Sequence, residues 1–157
     1  MSEDQKAYLT EEGHEAIKRE LDELVNVTRI ELAQKLKEAV AQGDLKENAD
    51  YHDAKERQGF IEGRIQELEA TLRNAVIIEK SEDNDIVQIG HTVTIREVGT
   101  KEDETYMIVG SAEANAAEGK ISNHSPIGQA LLGKKKGQKI VADTPGGKIE
   151  FKVRTVE

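Results

Sequence analysis

The chain of 157 residues has no cysteine, no tryptophan, two prolines and an aromatic content of 3%. Without cysteine there is no disulfide, no thiol nucleophile and no thiolate-held zinc. So few aromatics leave no stacking platform for single-stranded nucleic acid. An excess of base is missing too: 22 Lys and Arg stand against 31 Asp and Glu, a formal net charge of -9. A free-standing nucleic-acid binder normally presents a basic face that displaces counterions from phosphates, so any contact with RNA must be local or arranged by a partner. Nowhere do eighteen apolar residues run together, and Met1-Ser2-Glu3-Asp4-Gln5-Lys6 lacks a basic segment followed by an apolar one. The sequence therefore reads as a soluble cytoplasmic protein. His14, His52, His91 and His124 are scattered without ligand-like spacing and read as surface or packing residues.

The length suits two small domains, and the texture of the chain changes once. From Glu11 to about Glu79 there is no proline, and Glu, Lys, Leu, Ala and Arg recur with a helical period. Thr10 is placed to cap a first helix, with Glu11 and Glu12 in the first turn where the helix dipole favours acids. That helix is predicted to run to about Gln42 and to stop at Gly43, a residue suited to the left-handed position beyond a helix end. In the second helix Tyr51, Ala54, Gln58, Ile61, Ile65, Leu68, Leu72 and Ala75 follow the alternating three-four spacing of a coiled-coil seam. The first helix supplies Ile17, Leu21 and Leu24, then, after a slip of phase near Thr28, Leu32, Leu36 and Ala39, as in a stutter. Two such helices joined by one short break must lie antiparallel to bury their stripes, giving an arm of about 45 Å for roughly thirty residues.

Beyond Glu79, Ser81-Glu82-Asp83-Asn84-Asp85 reads as a linker, which sets the domains at residues 1–79 and 80–157. Val93 and Ile95, Tyr106 and Ile108, and Ile149, Phe151 and Val153 alternate as half-buried strands do, and Thr144-Pro145-Gly146-Gly147 is a tight turn before the last of them. Ser125 as cap, Pro126 at the first helical position and Gly133 as stop enclose one short helix. The fold class is α+β: a helical hairpin followed by a small sheet domain with a short helix.

The turn of the hairpin, Gly43-Asp44-Leu45-Lys46-Glu47-Asn48-Ala49-Asp50-Tyr51, admits two readings. Asp44 and Glu47 have the spacing of a capping box, in which the first accepts an amide and the second reaches back. Carboxylates three apart on a helical turn are also neighbours that can share a Mg²⁺ ion, which is typically held by one or two carboxylates together with waters and substrate phosphates. Two acids on an exposed tip amount to half of a metal site. Lys55 and Arg57 lie about two turns further on, where they either meet a phosphate backbone or pair with neighbouring acids. Lys134, Lys135, Lys136 and Lys139 form a second basic cluster, facing a partner or merely solubilising a loop.

The segment Gly43-Asp44-Leu45-Lys46-Glu47-Asn48-Ala49-Asp50-Tyr51-His52 resembles the tip motif of the bacterial GreA/GreB transcript cleavage factors. The likeness spans nearly the whole chain: Tyr8-Leu9-Thr10-Glu11-Glu12-Gly13, Gln58-Gly59-Phe60-Ile61-Glu62-Gly63-Arg64-Ile65, Ile108-Val109-Gly110, Ser125-Pro126-Ile127-Gly128, Leu131-Leu132-Gly133-Lys134 and Thr144-Pro145-Gly146-Gly147, in that order. The resemblance implies an antiparallel coiled coil that enters the secondary channel of bacterial RNA polymerase, and an FKBP-like domain that docks at the channel rim. It implies that Asp44 and Glu47 help hold Mg²⁺ and water at the polymerase active centre of a backtracked complex, promoting endonucleolytic removal of the nascent RNA 3′ segment. The chain is then a monomeric cofactor of polymerase, not an enzyme, and binds no metal stably by itself. Asp50 and Asp53 are secondary to these two. Glu38-Ala39-Val40-Ala41-Gln42 lacks the base that many family members carry before the tip, which, with Lys55 retained, favours the GreA branch over the GreB branch. Docking falls to Ser125, Pro126 and Ile127, which an N-capped turn with a buried Ile explains equally well. A tip whose acids only cap, on a rod that plugs the channel without inducing cleavage, is the alternative. Prolyl isomerisation by the FKBP-like half is disfavoured by three Tyr, two Phe and no Trp in the whole chain, too few for an aromatic-lined pocket.

Overall fold

The computed structural model describes residues 6–79, 81 and 83–157. Met1 to Gln5 of the expected leaderless start and Glu82 of the expected linker lie outside the described residues. The elements in chain order are β1 (Ala7–Leu9), α1 (Glu11–Glu23), a π-helical turn (Leu24–Thr28), α2 (Arg29–Ala41), α3 (Ala49–Arg73), β2 (Ala75–Ile77), β3 (Thr92–Glu97), β4 (Asp103–Val109), β5 (Lys120–Ser122), α4 (Pro126–Leu131), β6 (Lys139–Thr144) and β7 (Gly147–Val156). By internal contacts the chain divides into two compact units, Met1–Gly13 with Ala75–Glu157, and His14–Asn74.

The second unit is the hairpin. Ile17, Leu32, Ala39, Ala54, Ile65 and Leu68 are buried, and Leu21, Leu24, Leu36, Tyr51, Gln58, Ile61 and Leu72 half-buried, so the seam drawn from spacing is the packed face. The antiparallel pairing is tied on both flanks: Arg29 donates Nε and Nη2 to Glu62 at 2.7 and 2.8 Å, and Arg64 donates Nε and Nη2 to Glu20 at 2.7 and 3.0 Å. The stutter expected near Thr28 is realised as the π turn at Leu24–Thr28, which absorbs one extra residue and leaves Ile17 and Leu32 both buried. One expectation is corrected: the helical half does not reach Glu79, since α3 ends at Arg73, and Ala75, expected in the seam, opens β2.

In the other unit β1 and β2 pair in parallel, Ala7 with Ala75 and Leu9 with Ile77, so residues at both ends of the helical stretch join the sheet-bearing unit. Gly110 is required beside them, because a Cβ there would sit 1.8 Å from the Tyr8 carbonyl oxygen. The main sheet has the order β5-β4-β3-β7-β6, antiparallel except for β4 with β5. Val93, Ile95, Ile108, Phe151 and Val153 of the predicted alternations are buried in its core with Ile140 and Ala142 of β6 and Leu131 of α4, and Tyr106 and Ile149 pack against them. This α+β architecture, a helical hairpin and a five-stranded sheet carrying one short helix, is the one expected from the sequence.

Candidate functional site

α2 ends as anticipated: Gly43 takes a φ of 80° and donates to the Val40 carbonyl at 3.2 Å. The next residue carries the same handedness. Asp44 has a φ of 29°, the one positive value outside glycine among the described residues. Its carbonyl accepts the N–H of Glu47 at 3.3 Å, closing a turn over Leu45 to Glu47. Asp44 and Glu47 are exposed, and among the described residues neither carboxylate has an ion pair or a hydrogen bond.

The capping box does not form. α3 begins at Ala49, and its cap is Asn48, whose Oδ1 accepts the Tyr51 N–H at 3.0 Å. The Asn48 Nδ2 group reaches back across the turn, donating to the Ala39 carbonyl at 2.7 Å and to that of Gly43 at 3.4 Å. His52 adds a second strut, its Nε2–H donating to the Lys46 carbonyl at 3.2 Å. The spacing of Asp44 and Glu47 does not point to Asn48, although Asn directly before a helical run is a strong cap signal. Asp44 and Glu47 thus belong to the turn and not to a helix, and both are released from helix capping.

Two exposed oxygen donors without protein partners suit a Mg²⁺ ion that keeps its waters and finds its remaining ligands elsewhere. Among the described residues no group of three His, Asp or Glu side chains is placed to hold a metal. The basic residues near the tip are not brought together. Lys55 and Arg57 are two positions apart in α3, about 200° around the helix, and so take opposite flanks of the hairpin. Lys55 donates to Gln58 Oε1 at 3.2 Å, while Arg57 joins Lys35, Asp50 and Asp53 around a groove of about 280 Å³ between α2 and α3.

Ser125, Pro126 and Ile127 open α4. Ser125 Oγ accepts the Gly128 N–H at 3.1 Å and donates to the Ser122 carbonyl at 2.7 Å, Ile127 packs against the core, and Pro126 is exposed. The lysine cluster lies beside the end of β7, where Gly137 and Gln138 exchange hydrogen bonds with Val153. There Lys139 faces Lys152, and Lys152 in turn faces Arg96.

The chain thus combines a two-helix hairpin that ends in an exposed acidic turn with a second, sheet-bearing unit. A family model described as transcription elongation factor, N-terminal, matches residues 7–77, and one described as transcription elongation factor, GreA/GreB, C-term, matches residues 82–157. The chain belongs to the GreA/GreB family of transcription elongation factors. It is 50% identical over 156 residues to the transcription elongation factor GreA of Staphylococcus epidermidis, covering 99% of this chain and 98% of that one. It is 47% identical over 155 residues to that of Bacillus cytotoxicus, covering 98% of each. The solved GreA factor homolog 1 (Gfh1) of Thermus thermophilus is 32% identical, with 97% of this chain and 99% of that chain covered, at a TM-score of 0.45.

Among the described residues no helix is long and apolar enough to cross a membrane.

Proposed function

We propose that the hairpin tip enters the secondary channel of bacterial RNA polymerase and stimulates Mg²⁺-dependent endonucleolytic cleavage of the nascent RNA 3′ end in backtracked, arrested complexes, so that elongation resumes. The observation that carries this reading is the pair Asp44 and Glu47, exposed and unpartnered on a closed turn at the end of two tied helices. Membership of the elongation-factor family supplies the partner, since an elongation factor acts on the transcribing polymerase.

Two metal ions can stabilise the attacking and leaving oxygens of an in-line phosphodiester displacement. In that chemistry Asp44 and Glu47 complete the shell of a weakly held Mg²⁺ at the polymerase active centre and orient the attacking water. The chain is then a cofactor of polymerase and not itself a nuclease. Lys55 and Arg57 contact RNA phosphates, one from each flank. Of Ser125, Pro126 and Ile127, the exposed Pro126 offers surface for docking at the channel rim, with the other two shaping the turn beneath it.

The test is cleavage by purified polymerase stalled in a backtracked complex, with this protein or its Asp44→Asn and Glu47→Gln variants. Cleavage is expected to be lost in both while affinity for polymerase is nearly unchanged, because Asn48 and not Asp44 caps α3. Cleavage at the wild-type rate in both variants overturns the metal reading in favour of a channel-binding regulator that does not induce cleavage.

A further inference from the structure

We infer that Asn48 is a positioning residue for the tip acids: its carboxamide holds Gly43 and Asp44 in the left-handed backbone that fixes where the Asp44 carboxylate sits. This rests on the metal reading of the tip. Three bonds from one side chain join the last turn of α2 (Ala39 O, 2.7 Å), the reversal itself (Gly43 O, 3.4 Å) and the first turn of α3 (Tyr51 N, 3.0 Å). Asn48 is half-buried while every other residue from Ala41 to Asp50 is exposed, so it is the tip residue withdrawn from solvent.

A positive φ is unfavourable for any residue with a Cβ and persists where the surroundings over-determine it. For Asp44 those surroundings are identifiable. The Glu47 N–H holds its carbonyl on the far side, and Asn48 Nδ2 holds the carbonyl of Gly43 on the near side. The two ends of the carboxamide do different work. Oδ1 serves the helix, as a cap; Nδ2 serves the turn, as a staple. Only a side chain of this length carrying both a donor and an acceptor does both.

Asn48→Asp separates the two functions, because Asp caps helices as well as Asn but turns an oxygen toward the carbonyls of Ala39 and Gly43. Circular dichroism and competition for polymerase binding are expected to match the wild type. Exchange of the Gly43 and Glu47 amides, the hydrogen-bonded N–H groups of the reversal, is expected to quicken by about tenfold or more while α3 stays protected. Cleavage at saturating factor is expected to fall by about tenfold to a hundredfold, the range for a displaced catalytic group, with partial recovery at raised Mg²⁺. Asn48→Ala, which loses cap and staple together, should fall at least as far. Asp44→Asn is assayed alongside. Wild-type cleavage in Asp44→Asn defeats the metal reading and this inference with it. Lost cleavage in Asp44→Asn, with wild-type exchange and cleavage in Asn48→Asp, defeats the Asn48 inference alone.

Discussion

The carboxylate of Glu113 accepts both the backbone N–H and the hydroxyl of Thr10, each at 2.6 Å, across 103 positions of sequence. Thr10 Oγ1 in turn accepts the Gly13 N–H at 3.0 Å, and Thr10, Gly13 and Glu113 all lie within the sheet-bearing unit. Replacing Glu113 by Ala leaves a half-buried amide and hydroxyl without their partner. The expected loss is about 1–3 kcal/mol of stability in urea unfolding, with Glu113→Gln recovering part of it through its remaining oxygen. A Glu113→Ala protein as stable as the wild type would show that water replaces the carboxylate.

The π turn at Leu24–Thr28 makes a prediction about deletion, since a π turn is one residue more than an α-helix needs. Removing the exposed Asn26 should convert Leu24–Thr28 to continuous α-helix while Ile17 and Leu32 stay buried. Helicity by circular dichroism and the melting temperature are expected to hold or rise. Deleting a residue from α3, which has no such slack, should lower the melting temperature sharply because it rotates half of the seam outward.

Lys152 stands between Lys139 on β6 and Arg96 on β3, directly opposite both. Lys139 is offset by Glu150 at 3.5 Å and Arg96 by Asp103 at 2.7 Å, whereas Lys152 has no acidic partner among the described residues. Like charges opposite each other destabilise a ladder, so Lys152→Glu should raise stability by a few tenths to about 1 kcal/mol. The gain should shrink in high salt, where exposed charges are screened. An unchanged or lowered melting temperature at low salt would mean that the three cations already avoid one another.

The phenol of Tyr106 donates to Glu104 Oε2 at 2.7 Å, and this bond, helped by burial, pushes its pKa from 10.0 up to about 12. A pKa raised by folding stabilises the native state fully below the unfolded value and loses that contribution as pH climbs through the folded one. Stability from this pair is therefore present below about pH 10 and lost between about pH 10 and 12. Ultraviolet titration of phenolate absorbance should show one late tyrosine that disappears in Tyr106→Phe, and Glu104→Gln should bring that late transition earlier.

What was legible in the sequence is what local periodicity encodes. The seam residues, Gly43 as helix stop, Ser125 and Pro126 as helix start and the alternation of β3, β4 and β7 all follow from which side chains recur on one face or suit one backbone conformation. The acid pair was visible by spacing, and the family by motif. The same spacing suggested a capping box, however, because residue types three apart do not say where a helix begins. Asn48, one position past Glu47, won the cap because it can also reach the carbonyl of Ala39.

The sequence by itself therefore determined a helical hairpin with an acidic turn and an α+β partner unit, since each of these rests on short-range pattern. Only the tertiary structure decided that Ala75 leaves the helix to pair with Ala7 and that Glu113 holds Thr10. It also decided that the slip near Thr28 is a π turn and that Asp44 and Glu47 stand free of the helix cap. Those outcomes depend on which distant groups arrive within hydrogen-bonding or packing distance, and a one-dimensional pattern carries no record of that.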